Sequence, residues 1–126
     1  MGAKRILLVE DNEVNMRLVK LTLKNQDYDF LEATNGEDAI ELANSHRPDL
    51  IILDIQLPKM DGYAVARAIK NLEAVKNIPI IALTAHAMKG DEERVLASGC
   101  DAYVSKPLDT NHFRGLVKSF LQKGMK

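Results

Sequence analysis

Three short apolar runs that each stop at a polar residue constrain this chain more than anything else in it. Lys4 to Val9 (KRILLV) stops at Glu10 and Asp11, Leu50 to Leu53 stops at Asp54, and Ile78 to Leu83 (IPIIAL) stops at Thr84. The runs are continuous rather than alternating, which is the pattern of strands buried on both faces in a helix-covered parallel sheet. None approaches the ~20 residues that cross a bilayer. Tyr28 to Ala33 (YDFLEA) has strand composition and ends at the turn signal Asn35-Gly36, and Ala102 to Ser105 leads into Lys106-Pro107. Helical periodicity fills the gaps: Glu13 to Asn25, Glu37 to Ser45, Tyr63 to Leu72 and Asp91 to Ala97. A last helix follows an N-cap at Asp109, carries Phe113, Leu116, Val117, Phe120 and Leu121 on one face, and ends near Gly124. Five strands alternating with five helices predict an α/β fold with one parallel sheet between two helix layers.

Composition fits that reading. The chain has 126 residues, enough to bury roughly two thirds of its unfolded surface as one domain over 1–126. No linker, repeat or low-complexity tract divides it, so no output domain is expected. Cys100 is the one cysteine, which excludes an internal disulfide and any Cys-rich zinc site, and it is expected to pack at a strand entrance. Lysine and arginine total 17 against 18 acids, a net charge of -1 that offers no general pull toward nucleic acid or an anionic membrane. The amino terminus has no signal-peptide apolar region, and Ile6 stands where a myristoylation signal needs Ser or Thr. A soluble, cytoplasmic protein is expected.

Ligands of open α/β sheets bind beyond the carboxyl ends of the strands. Those ends carry Glu10, Asp11, Asp54, Thr84 and Lys106. Two unit charges about 4 Å apart repel by ~4 kcal/mol at an effective dielectric of 20, so three clustered acids call for a cation. An all-oxygen donor set with open positions favours Mg²⁺ over an enclosed Ca²⁺ cage. Thr84 and Lys106 are then left to bind an anion, and Asp54 can act as nucleophile in phosphoryl transfer. Taken singly, each of these residues reads equally well as a polar turn residue. Five of them at matching strand ends do not.

The segments ILLVEDN (Ile6 to Asn12), PDLIILDIQLPKMDG (Pro48 to Gly62), IPIIALTA (Ile78 to Ala85) and GCDAYVSKPLD (Gly99 to Asp109) resemble, in order and spacing, the four signature blocks of the receiver domain of two-component response regulators. The resemblance implies a flavodoxin-like (βα)5 fold with strand order 2-1-3-4-5. It implies that Asp54 is the phosphoacceptor, and that Glu10, Asp11, Asp54 and the backbone carbonyl of Gln56 hold Mg²⁺, or Mn²⁺ in its place. Lys106 would pair with the phosphoryl group, Thr84 would hydrogen-bond it, and Pro107 would follow a cis peptide. Many relatives have Asp where Glu10 stands. Gln56 and His86 occupy the positions that tune phosphoryl lifetime, and neither is an evident base. In the implied switch, Thr84 moves toward the phosphoryl oxygens and the ring of Tyr103 turns into the vacated space, which changes the surface of the fourth helix, fifth strand and fifth helix. Without its Thr84 partner, Tyr103 would read as an ordinary half-buried strand aromatic.

On the first helix, Val14, Leu18 and Leu21 form one apolar stripe and Met16, Val19 and Leu23 another. A helix lying on a sheet buries one stripe, so part of an edge should stay exposed. Val14 and Leu18 are therefore expected to dock a histidine kinase or histidine phosphotransfer protein, unless the helix proves wide and fully covered. MKGDEER (Met88 to Arg94) and the block around Cys100 resemble freestanding receivers akin to the alphaproteobacterial cell-division regulator. The expected protein is a signalling switch rather than an enzyme, catalysing only its own phosphorylation and slow dephosphorylation, with an unidentified downstream protein partner. A monomer is expected, with dimerisation on phosphorylation left open. A phosphatase of the haloacid dehalogenase type would need a second Asp where Gln56 stands. No GxxxxGK[ST] loop supports a P-loop NTPase, and no Gly/Ser/Thr-rich loop after the first strand supports flavin binding. A receiver-like binding module that never turns over phosphate is disfavoured by the intact acids, Thr84 and Lys106.

Overall fold

The computed structural model describes residues 4–24, 28–55, 62–84, 89–105 and 109–123. Its elements run in strict alternation: β1 (Lys4–Val9), α1 (Glu13–Thr22), β2 (Tyr28–Ala33), α2 (Gly36–His46), β3 (Leu50–Asp54), α3 (Gly62–Lys70), β4 (Ile80–Thr84), α4 (Lys89–Ala97), β5 (Ala102–Ser105) and α5 (Thr110–Lys123). The strands form one sheet in the order β2-β1-β3-β4-β5, all neighbours parallel, as expected of a flavodoxin-like fold.

Strand alternation sorts the core into two layers. Leu7, Val9, Ile51, Leu53, Ile80 and Ala82 face one side, where Ala39 and Ala43 of α2, Val65, Ala66 and Ile69 of α3 and Val95 of α4 cover them. Ile6, Leu8, Leu50, Ile52, Ile81 and Leu83 face the other, under Met16 and Val19 of α1, Leu23 just beyond it, and Phe113, Val117 and Leu121 of α5. Full burial of side chains of this size stabilises by about 1.5–3 kcal/mol each, so the i, i+4, i+8 row of α5 alone is a strong anchor. Cys100 packs in the first layer beside Ser98, its sulfur 3.6 Å from the Ser98 hydroxyl, and burial pushes its thiol pKa up, which keeps it inert.

The element ends differ from the sequence reading where local chemistry intervenes. Helix α1 stops at Thr22 because Leu23 leaves helical geometry to become fully buried, its N–H still bonded to Val19. Helix α3 stops at Lys70, and tight turns (Leu72 N–H to Ile69, Val75 to Leu72, Ile78 to Val75) carry the chain onward, so β4 begins at Ile80 rather than Ile78. Helix α2 ends where Arg47 takes a left-handed φ of 47°, just ahead of Pro48, which cannot continue a helix.

Long-range polar contacts hold the sheet's amino end. The Lys70 ammonium donates to Ile78 O at 2.8 Å and meets Asp101 Oδ2 at 3.1 Å, while the same oxygen accepts the Ile80 N–H at 2.8 Å. On the α3–α4 side, the Arg94 guanidinium lies 4.4 Å from the centroid of the Tyr63 ring. No helix among the described residues is long and apolar enough to cross a membrane.

Candidate functional site

Parallel register brings the acids together. Val9 pairs with Leu53, so Glu10 follows β1 beside Asp54, the last residue of β3. By alternation Glu10 continues the Ile6–Leu8 face and Asp54 the Leu50–Ile52 face, both under the α1/α5 layer. That placement buries both carboxylates, each only 3% exposed, while Asp11 reaches solvent. One carboxylate oxygen from each of Glu10, Asp11 and Asp54 can be chosen so that all lie within 4.8 Å of one another.

Two backbone contacts shape this corner. The Glu10 N–H donates to Ala33 O at 3.0 Å, extending the β1–β2 ladder past Val9. Its carboxylate accepts the Asn12 N–H at 3.2 Å through Oε2. Asn12 is also the N-cap of α1, its side-chain oxygen accepting the Asn15 N–H at 3.0 Å. On the far side of Asp54, Gly62 opens α3 against the strand end and donates its N–H to Ile55 O at 2.9 Å. A Cβ there would lie 2.5 Å from Ile55 Cα.

Fit to a divalent cation can be judged from the donor set. Mg²⁺ takes oxygens at 2.0–2.1 Å, so opposite ligands of an octahedron stand ~4.2 Å apart, within about half an ångström of the observed spread. The donors are carboxylate oxygens, the class that hard cations select. Glu10, Asp11 and Asp54 therefore fit such an ion.

Thr84, 5% exposed, closes β4 one step past Leu83, the register partner of Asp54. Thr84 pairs with Ser105 and Ala82 with Tyr103, so Thr84 and Tyr103 share one face of the sheet, two residues apart. Tyr103 is half-buried and packs against the α2/α3/α4 layer. Gln56, His86, Lys106 and Pro107 lie outside the described residues. On α1, Met16, Val19 and Leu23 form the buried stripe, whereas Val14, Leu18 and Leu21 are 74%, 51% and 56% exposed. A whole stripe is open, more than the single edge expected, and a fully covered helix is excluded. Asn12 and Gly62 are residues of this corner that the sequence pattern passed over; Asn12 did carry a signal, an N-cap side chain immediately ahead of a helical period.

A model of the response regulator receiver domain matches residues 6–118. The chain belongs to that family. Receivers of the family act as phosphoacceptor signalling switches in two-component systems. Among curated relatives, this receiver is 46% identical over 118 residues to the polar-differentiation response regulator DivK of Brucella anthropi, covering 94% of this chain and 96% of the relative. Among solved structures, a response regulator from Chloroflexus aurantiacus superposes with a TM-score of 0.90 at 26% identity, covering 97% of this receiver and 99% of that chain. The receiver domain of a sensor histidine kinase from Pseudomonas aeruginosa, described with a magnesium ion coordinated in its active-site cleft, gives a TM-score of 0.88 at 35% identity, with 97% and 99% covered.

Proposed function

We propose that this receiver accepts a phosphoryl group on Asp54 from the phosphohistidine of a kinase or phosphotransfer protein, in a reaction that needs Mg²⁺. The observation that carries the reading is the convergence of Glu10, Asp11 and Asp54 at the carboxyl ends of adjacent strands. The magnesium of the Pseudomonas relative supports the choice of ion, and nothing speaks for manganese. When bound, Mg²⁺ offsets the charge of the acids and of the incoming phosphoryl oxygens.

In the transfer, an Asp54 carboxylate oxygen bonds to phosphorus as the phosphorus–nitrogen bond breaks, and the electron pair stays on the imidazole nitrogen. Water later attacks phosphorus, returning the Asp54 carboxylate and releasing inorganic phosphate. By the receiver pattern, Thr84 and Lys106 would bind the phosphoryl oxygens, and the Gln56 carbonyl would join Glu10, Asp11 and Asp54 in holding the metal. The phosphoryl group brings ≈ -1.5 to -2 charge and three acceptor oxygens, enough to bias the position of Thr84 and, through the shared sheet face, of Tyr103. Beside Tyr103 a groove of about 360 Å³, lined also by Val104, Ser105, Asp109 and His112, lies between β5 and the start of α5, part of the surface that would read out the switch. The receiver would signal through that surface or pass the phosphoryl group on.

Incubation with acetyl phosphate and Mg²⁺ followed by intact mass measurement tests this reading. One phosphate should appear on the wild type and none on Asp54→Asn; an unlabelled wild type, or an equally labelled variant, would overturn it.

Val14 and Leu18 lie two and six residues beyond the Asn12 cap, on the exposed stripe of the helix that leads away from the acidic corner. Being exposed, they contribute little to stability. Alanine at both should slow phosphotransfer from the cognate phosphohistidine protein about thirtyfold, at roughly 1 kcal/mol lost for each of the two truncated contacts, while labelling by acetyl phosphate stays unchanged. Equal loss with both donors would place the effect in the site and not in docking.

A further inference from the structure

Resting on the metal reading above, we propose that Asn12 is a positioning residue for the cation site, seating the Glu10 carboxylate through its backbone N–H. Glu10 has three rotatable side-chain bonds and is 3% exposed, so its carboxylate needs a fixed donor to hold one orientation. The Asn12 N–H is one such donor, 3.2 Å from Oε2. That amide is itself held on both sides. The Asn12 side-chain oxygen accepts the Asn15 N–H at 3.0 Å, and the Asn12 carbonyl accepts the first helical bond, from Met16 N–H at 2.9 Å. The Glu10 backbone is tied independently to Ala33. The N-cap of α1 thus sets where a buried carboxylate points, as groups behind metal ligands generally do.

Alanine in place of Glu10 removes the carboxylate that the Asn12 N–H holds, and with it any influence Asn12 has on the cation site through that contact. Asn12 and Glu10 should therefore act as a unit, and replacing Glu10 by Ala should release the site from its dependence on Asn12.

The test measures Mg²⁺ binding by calorimetry on the full chain, with melting temperature in EDTA as the folding control and no activity assay. Asn12→Ala should weaken Mg²⁺ binding about tenfold, whereas Asn12→Ser, which keeps a capping oxygen, should stay within about twofold. In the Glu10→Ala background, which lacks the carboxylate altogether, Asn12→Ala should change the affinity by less than about twofold, which is the signature of coupling. Should Asn12→Ala not fold, Asn12→Gly removes the capping side chain at little conformational cost and carries the same expectation. A lower melting temperature with unchanged Mg²⁺ affinity would make Asn12 a helix cap and nothing more. Equal weakening in both backgrounds would likewise overturn the seating of Glu10. A wild type that binds no Mg²⁺ would overturn the metal reading itself, a failure distinct from the other two.

Discussion

Asp54→Asn is expected to melt at a higher temperature than the wild type in EDTA, and to lose that advantage when Mg²⁺ is added. The expectation follows from the three carboxylates within 4.8 Å, two of them buried. At an effective dielectric of 20, two unit charges at that separation repel by ~3.5 kcal/mol. Asparagine keeps the shape and removes one charge, abolishing two of the three pairwise repulsions. Solvent around Asp11 and other polar groups near the cluster reduce the gain, so about 1–2 kcal/mol is expected, a rise of roughly 3–8 °C for a domain of this size. Mg²⁺ reverses the order of stability because it binds the folded wild type and stabilises it by mass action, whereas the variant has lost a ligand. Thermal melts in EDTA and in excess Mg²⁺ decide the matter. A variant less stable than wild type in EDTA would show that Asp54 holds the fold together, and that the site is not an acidic cluster kept at a cost to stability.

Much of this architecture is legible in the sequence. Short continuous apolar runs suit strands with both faces covered better than helices, and a polar residue at the end of each run marks one rim of the sheet, so Glu10, Asp54 and Thr84 are assignable to a common edge from the sequence. The rotation of α1 is not. Val14-Leu18-Leu21 and Met16-Val19-Leu23 have the same periodicity, and the choice between them is made by the geometry that follows Asp11 and by where Leu23 must be buried. Contacts between distant residues were equally hidden. Lys70 and Asp101 stand 31 positions apart and meet only because the α3–β4 and α4–β5 connections share one end of the sheet. Gly62 is passed over for the same reason, because a sequence records that a glycine is present and not what presses against it.

That pressure makes Gly62→Ala the most damaging single-methyl change expected near the site. The added Cβ would sit 2.5 Å from Ile55 Cα and 3.0 Å from Asp54 O, against the 3.5–4.0 Å at which carbon atoms rest. Two of these neighbours are backbone atoms in the middle of the sheet, where Ile55 N–H is itself bonded to Leu83 O at 3.0 Å, so they cannot yield as a flexible side chain would. Helix α3 must retreat by about 1 Å, stretching the 2.9 Å bond from Gly62 N–H to Ile55 O. Overpacking costs about 1–3 kcal/mol and the weakened hydrogen bond about 1 kcal/mol, offset by up to about 1 kcal/mol of better helix propensity, for a net loss of about 1–4 kcal/mol. Gly115, exposed in α5 with nothing within 4 Å of a new Cβ, provides the control: the same substitution there should be neutral or stabilise by up to about 1 kcal/mol. Urea unfolding of the two variants separates close approach from propensity. Because the clash falls on the peptide that carries Asp54, Gly62→Ala should also slow labelling by acetyl phosphate by up to about 100-fold, the scale of a 1 Å misplacement of a reacting group. If stability falls while the labelling rate holds, Gly62 matters only for packing and the strand end positions Asp54 without it.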